Sequence, residues 1–178
     1  MNKYEKIYII GCQRSGTTLL RLILDSHKKI FCFDESKSYE ILSDNHKINN
    51  IELSDKKIIG FKIPRYTEQL DEGILSDYGM TTCKKFYNNE PLLFIVRNVY
   101  DVICSMMSLK TNKKNWLSEW GIPIIQFWIK NKNNFKNVFK EDLEIIENSK
   151  FTELSYGALY WKFKNLAYFS YLESNYPI

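Results

Sequence analysis

The chain has 178 residues, a length at which one domain is expected. Its composition, 44% hydrophobic and 26% charged, is that of an ordinary soluble globular protein. Its net charge of +4 is compatible with an anionic ligand but does not by itself indicate a nucleic-acid surface. No apolar stretch is long enough to span a bilayer and the first apolar segment lacks the features of a signal peptide, so we expect a cytoplasmic protein. The spacing of the four cysteines does not match a zinc site, and we expect buried or half-buried free thiols in a reducing compartment.

Strand and helix patterns alternate along the chain. Short β-branched or apolar runs predict strands at 6–10, 30–33, 57–63 and 92–96. Apolar residues at helical spacing predict helices at 17–25, 36–42, 67–78, 99–109 and 154–175, and a mostly helical segment at 116–139 that breaks near Pro123. Aromatic residues in that segment are predicted to lie in the core: Trp116, Trp120, Phe127 and Trp128. This alternation indicates an α/β fold with a parallel sheet.

The first predicted strand runs into the segment GCQRSGTT at residues 11–18, and a predicted helix comes directly after it. The two glycines allow a tight turn, and the backbone N–H groups at a helix N-terminus attract an anion. Thr17 and Thr18 add hydroxyl donors, while Arg14 places a cation inside the turn. We therefore predict a phosphate-binding loop. The simpler alternative is an ordinary turn that is rich in small polar residues.

The position of the cation separates this loop from that of nucleotide kinases and NTPases. Those proteins carry Lys followed by Ser or Thr directly after the second glycine. Here Thr17 occupies the lysine position and the positive charge is at Arg14. The departure weakens a kinase or NTPase interpretation and leaves it as an alternative.

A second strand-to-helix junction lies at residues 92–105. Arg97 follows the predicted strand, at the end where ligands bind in open α/β sheets, and Ser105 stands eight positions later in the predicted helix. The two side chains are placed to converge on one phosphate, while Asp101 caps the helix or anchors the loop. The alternative is a plain junction with a surface arginine.

Three segments resemble sulfotransferases that use 3′-phosphoadenosine-5′-phosphosulfate (PAPS), and the first is especially similar to the tyrosylprotein sulfotransferases and the related broad group with an arginine in the loop. Arg14–Arg21 resembles their 5′-phosphosulfate loop, and the likeness extends to Asp34–Lys37. Gly60–Pro64 is similar to their segment with a lysine two residues before proline. Arg97–Ser105 is similar to their 3′-phosphate motif, although Val99 replaces the usual proline.

The resemblance implies a role for each matching residue. Arg14 grips the phosphosulfate, Glu35 is the general base, and Lys62 stabilises the transferring sulfuryl group. The residues that bind PAPS are then Arg14, Ser15, Gly16, Thr17, Thr18, Arg97 and Ser105. No metal ion is required. Arg65 binds the acceptor or is simply exposed, and the sequence does not decide between the two.

The implied fold is a three-layer, P-loop-like α/β domain with a small, mainly parallel sheet flanked by helices. We expect residues 1–178 to form one such domain that lacks the C-terminal part of the family fold. The implied function is sulfuryl transfer from PAPS to an acceptor hydroxyl, with 3′,5′-ADP as product and no role for nucleic acid. The acceptor stays open among sugars, lipids, small alcohols and tyrosine peptides. The alternatives are a nucleotide kinase or NTPase variant and a truncated, non-catalytic nucleotide-binding module.

Overall fold

The computed structural model describes residues 4–42, 53, 55–66, 90–111, 114–134, 137–149 and 152–175. These residues fall into two compact units. The first contains the described residues up to 66 together with 90–96, and the second contains the described residues from 97 onward. The helix predicted at 67–78 lies outside the described residues, and the expectation of a single domain stays a prediction.

The first unit is built on a small sheet whose four described strands are parallel. They are β1 (Glu5–Gly11), β2 (Ile30–Phe33), β3 (Ile58–Lys62) and β4 (Leu92–Ile95). Their order across the sheet is β2-β3-β1-β4. Each lies within about one residue of its predicted bounds. The sheet confirms the predicted α/β fold with a small parallel sheet.

Strand β1 has a neighbour on each side. Ile9 lies opposite Lys62 of β3 on one side and opposite Leu93 of β4 on the other. Ile9 and Ile10 are fully buried. A run of consecutive β-branched residues is what a parallel strand covered on both faces requires, which explains why this strand was readable from the sequence.

Glycine allows β2 and β3 to pack closely at one point. A Cβ atom on Gly60 would lie 2.4 Å from the Sγ atom of Cys32 on the neighbouring strand. Any larger side chain at this position would therefore push against the thiol.

Two helices pack on this sheet: α1 (Thr17–Asp25), which contacts β1, β2 and β3, and α2 (Glu35–Leu42), which contacts β3. Helix α1 has the predicted bounds, but its apolar residues do not form a buried face. Leu19 is 63% exposed and Ile23 is 58% exposed, whereas the small Thr17 is buried.

The second unit is helical in its described part. Its α-helices are α3 (Val99–Ser108), α4 (Ile122–Lys130), α5 (Asn137–Glu147) and α6 (Glu153–Asn175). A π-helical turn, Leu117–Gly121, leads directly into α4. Gly157 lets α6 approach α3 closely, because a Cβ atom there would lie 3.0 Å from Ile103 Cγ1.

The predicted helix break near Pro123 is wrong. The helical path continues from Leu117–Gly121 into α4, and Pro123 occupies its first turn. Proline lacks an N–H donor and its ring disturbs a regular α-helix interior, and Pro123 lies where the π-helical turn has only just passed into the α-helix. The path changes instead at Asn131, just after α4 ends.

Trp128 is at the centre of an aromatic core in the second unit. Its ring centroid lies 4.3 Å from that of Phe163, 5.7 Å from that of Tyr160 and 5.8 Å from that of Phe139. The core prediction for Trp128 is confirmed, whereas that for Trp120 is wrong, since Trp120 is 54% exposed. No helix within the described ranges has both the length and the apolar character needed to cross a membrane.

Candidate functional site

Three loops of the first unit leave the same edge of the sheet. Residues 12–16 follow β1, Asp34 and Glu35 follow β2, and Ile63 follows β3. Since the strands are parallel, their carboxyl ends share one edge, and this edge is where ligands bind in open α/β sheets. Strand β3 lies between the other two, so Lys62 at its end separates the loop after β1 from Glu35.

The loop after β1 has an unusual backbone. Arg14 adopts a left-handed conformation with φ of 72°, and Gly16 follows with φ of 102°. Gly11 has φ of 151°, and a Cβ atom there would lie 2.5 Å from the carbonyl oxygen of Ile95. Left-handed conformation is uncommon for a residue with a side chain and is found preferentially at functional sites.

Ser15 in this loop carries a buried hydroxyl without a hydrogen-bond partner among the described residues. The residue is 4% exposed, and its hydroxyl has no hydrogen-bond partner within the described part of the chain. An unmatched buried hydroxyl is costly, so it requires an explanation. A ligand oxygen seated in the loop would supply the missing partner.

The start of α1 favours a negatively charged ligand. The first N–H groups of a helix have no intrahelical acceptor, and the helix dipole adds partial positive charge at this end. The first turn contains no acidic side chain to compete for these groups. Thr17 is buried at this end, and Thr18 next to it is exposed. The loop and helix start therefore fit a phosphate or phosphosulfate group.

Glu35 is paired with two cations. Its Oε2 atom lies 3.2 Å from Nζ of Lys62, and its Oε1 atom lies 3.2 Å from Nε of Arg65. The Lys62 side chain is only 12% exposed, whereas those of Glu35 and Arg65 are 33% and 44% exposed. The structure thus brings together two predicted site residues, Glu35 and Lys62, and adds Arg65, for which the sequence left the role open.

Two hydroxyl groups fix α2 against the end of β3. The Ser38 hydroxyl accepts a hydrogen bond from the backbone N–H of Lys62 at 3.0 Å and donates one to the carbonyl of Asp34 at 2.6 Å. The Tyr39 hydroxyl accepts from the backbone N–H of Arg65 at 2.8 Å. Glu35 is therefore held at a fixed place relative to the end of β3.

Tyr39 also contacts the Arg65 side chain. The guanidinium carbon lies 4.5 Å from the centre of the Tyr39 ring, within the range of a cation–π interaction. Tyr39 was not among the site residues predicted from the sequence. The available signal was its spacing, since it follows Glu35 by one helical turn and so shares its face.

The second predicted loop begins the second unit. Asn98 caps α3 by accepting a hydrogen bond from the backbone N–H of Tyr100 at 2.9 Å. Asp101 is therefore not the capping residue, and its carboxylate lies 3.7 Å from Nε of Arg97. Ser105 is partly buried within α3.

Helix α6 supports the backbone of this second loop. The indole N–H of Trp161 donates a hydrogen bond to the carbonyl oxygen of Arg97 at 3.0 Å. No local sequence pattern indicates this contact, because the two residues are far apart in the chain.

Cys32 is a structural thiol behind the site. Burial, reinforced by the Asp25 carboxylate, raises the pKa of Cys32 to about 11. Asp25 also accepts the backbone N–H of Cys32 at 2.8 Å, and Arg21 donates to the Cys32 carbonyl at 3.2 Å. The three described cysteines are free; Cys12 and Cys32 are buried as predicted, whereas the prediction is wrong for Cys104, which is exposed. Within the described ranges, no three His, Cys, Asp or Glu side chains gather in a way that could hold a metal ion.

The fold and the site together define an α/β protein with a tight loop after β1, which we predict to bind an anion, and an ion-paired carboxylate at the same sheet edge. Residues 6–74 match the model of a protein family described as the Sulfotransferase family. The match includes β1, the loop with Arg14, Glu35 and Lys62, and it ends before Arg97. A search of the curated proteins finds no match to the chain.

Proposed function

We propose that this chain transfers a sulfuryl group from PAPS to an acceptor hydroxyl. The observation that carries the proposal is the Glu35–Lys62 ion pair, which lies at the sheet edge where the anion-binding loop also emerges. The family match over residues 6–74 supports sulfuryl transfer in general. The choice of PAPS as donor is our own step, based on the two phosphate loops predicted from the sequence.

The loop after β1 would hold the phosphosulfate end of the donor. The hydrogen-bond donors there are the N-terminus of α1, the Thr17 and Thr18 hydroxyls and the Ser15 hydroxyl, which has no partner within the described part of the chain. Gly16 permits the close approach. Arg14 contributes a full positive charge. These groups do not need to reorganise when charge builds up, which is the main source of catalysis in related phosphoryl transfers.

Glu35 and Lys62 would act on the two partners of the reaction. PAPS, when bound, supplies an activated sulfuryl group and a stable leaving group, 3′,5′-ADP. The Glu35 carboxylate is one-third exposed, so an acceptor hydroxyl can reach it and pass it a proton. Lys62 is nearly buried at the end of β3 and compensates negative charge next to the loop.

Arg97 and Ser105 are proposed to bind the 3′-phosphate. Arg97 is 43% exposed and its partner Asp101 is 61% exposed, so that ion pair is weak and can be exchanged for a phosphate. A charge-assisted hydrogen bond of this kind contributes about 1.5–3 kcal/mol. This contact would distinguish PAPS from ATP, which has no 3′-phosphate.

Isothermal titration calorimetry with 3′,5′-ADP tests the donor site. We expect the chain to bind it, and we expect Arg97→Ala to weaken binding by about 10- to 100-fold, as a lost charge-assisted bond implies. The matched control is Lys140→Ala, which removes an exposed cation from the ion pair with Glu144. No binding to the folded wild-type chain would refute the proposal, and undiminished binding to Arg97→Ala would refute the 3′-phosphate assignment.

Two further measurements separate the alternatives. Mg²⁺-dependent binding of ATP that is tighter than binding of 3′,5′-ADP would favour the kinase or NTPase variant. Mass spectrometry with labelled PAPS and a panel of sugars, lipids, small alcohols and tyrosine peptides identifies the acceptor. Binding of 3′,5′-ADP without transfer to any member of the panel would favour the non-catalytic module.

A further inference from the structure

We propose that Arg65 is the positioning residue for the Glu35 carboxylate, and that Tyr39 holds Arg65 in place for this purpose. The inference rests on the proposed function, because it assigns Glu35 the task of accepting the proton. It gives a specific role to two residues outside the predicted set of site residues.

The two oxygens of Glu35 have separate cationic partners. Lys62 contacts Oε2 and Arg65 contacts Oε1, each at 3.2 Å. A carboxylate fixed through both oxygens cannot rotate freely. Its orientation toward an acceptor is therefore set by the two cations together, and removal of either would release it.

An anion in the loop would affect the two cations differently. Lys62 is 12% exposed and lies at the end of the strand between Glu35 and the anion-binding loop, so the anion competes with Glu35 for its ammonium group. Arg65 lies three residues beyond the end of that strand, contacts the other oxygen of Glu35 and is 44% exposed. When Lys62 turns toward the anion, Arg65 remains as the partner that keeps Glu35 oriented.

Arg65 is held more firmly than an ordinary surface arginine. Its guanidinium lies over the Tyr39 ring at 4.5 Å, and its backbone N–H donates to the Tyr39 hydroxyl at 2.8 Å. Tyr39 is only 6% exposed and follows Glu35 by one turn of α2. The same helix therefore carries both the carboxylate and the ring that fixes the carboxylate's partner.

The geometry also explains why arginine stands here in a chain whose usual cation is lysine. A planar guanidinium can stack on an aromatic ring while its Nε–H points at a carboxylate, and a lysine ammonium cannot do both. An ion pair this exposed adds little to stability, so its value lies in orientation.

Steady-state kinetics with labelled PAPS and the acceptor from the panel measure the effect. We expect Arg65→Ala to lower kcat by about 100-fold, since a small misplacement of a catalytic group costs about that much. The Kd of 3′,5′-ADP should stay within about threefold because the donor loop is untouched. The acceptor KM should also stay within about threefold because Arg65 acts on Glu35 and not on the acceptor. Arg65→Lys should recover only part of kcat, since it restores the charge without the stacking.

The control for the kinetics is Lys37→Ala on the same helix, which breaks the exposed Lys37–Glu40 ion pair and should leave kcat unchanged. An unchanged kcat in Arg65→Ala would overturn the inference. A raised acceptor KM with kcat preserved would also overturn it, because it would make Arg65 an acceptor-binding residue instead.

A second measurement tests the inference independently of activity. Arginine occurs at only four positions, so in a chain labelled with ¹⁵N-arginine the Nε–H signal of Arg65 can be assigned with Arg65→Lys. We expect this signal to be protected from exchange in the wild type and lost in both Glu35→Ala and Tyr39→Leu. A signal that persists in either variant would refute the corresponding contact. If 3′,5′-ADP does not bind and no sulfate is transferred while the signal behaves as expected, the proposed function has failed and the positioning has not.

Discussion

We expect the Arg14→Gly variant to be more stable than the Arg14→Ala variant, and we expect both variants to lose donor binding. Within the described part of the chain, Arg14 is the one residue other than glycine that has a positive φ, which is 72°. The comparison of Arg14→Gly with Arg14→Ala isolates the backbone, because both variants lose the guanidinium group and differ only in their tolerance of this conformation.

The magnitude comes from two opposing contributions. The left-handed conformation costs a residue with a Cβ atom about 1–2 kcal/mol of folded-state free energy, because the Cβ atom crowds the following carbonyl oxygen. Glycine avoids this cost but gains about 0.5–1 kcal/mol of extra freedom in the unfolded chain, which favours unfolding. At the midpoints of these two ranges, Arg14→Gly is more stable than Arg14→Ala by about 0.75 kcal/mol.

Urea unfolding followed by circular dichroism measures this difference. With a slope of about 2 kcal/mol per molar urea, the midpoint of Arg14→Gly should lie about 0.25–0.5 M above that of Arg14→Ala. Both variants should lose the stabilisation that 3′,5′-ADP gives the wild type. Equal midpoints, or a higher midpoint for alanine, would show that the loop is not strained at Arg14 and would refute the reasoning.

The described contacts lead to three further expected outcomes. Gly60→Ala should lower the free energy of unfolding by about 1–3 kcal/mol through overpacking, because the new Cβ atom would lie 2.4 Å from Cys32 Sγ. This loss of stability should be smaller when Cys32 is also replaced by alanine. Folding raises the pKa of Cys32 from 9.0 to about 11, so the thiol ionises at lower pH in the unfolded chain than in the folded chain. The free energy of unfolding should therefore fall between pH 9.0 and about pH 11, and it should fall less in Cys32→Ala. Parallel pH curves for the two proteins would contradict this. Trp161→Phe removes the hydrogen bond to the Arg97 carbonyl and should weaken 3′,5′-ADP binding by about 2- to 10-fold, as one net hydrogen bond implies, whereas the exposed Trp120→Phe should not; equal affinities would refute the support role.

The strands and the loops after them were predictable because local sequence determines them. The buried β-branched run ending at Ile10 identified β1, and the two glycines with Arg14 between them identified the turn. The start of α1 at Thr17 was evident from the same segment. The parallel arrangement of the strands then fixed which ends meet at one edge.

The contacts made by side chains across that edge were not predictable in the same way. The partners of Glu35 lie far from it in sequence, and no local pattern distinguishes Arg65 from a surface cation. Tyr39 has only its helical spacing from Glu35 as a signal, and a core aromatic residue can have the same spacing. The sequence likewise did not indicate which apolar side chains are exposed, and Leu19 and Trp120 are two examples. Apolar residues at helical spacing do not reveal whether anything covers them. The roles of Arg97 and Ser105, the acceptor and the cytoplasmic location stay predictions.

The packing of the loop after β1 affects the order of folding during synthesis. Gly11 and Gly16 both face Ile95, so the loop made first is shaped by a strand made much later. Strand β1 likewise leaves the ribosome before β3 and β4 exist to pair with it. Pairing between strands that are far apart in sequence slows folding, and it leaves an apolar strand unpaired in the nascent chain. We therefore expect translation intermediates that end before β4 to lack the loop conformation and to depend on chaperones to remain unaggregated.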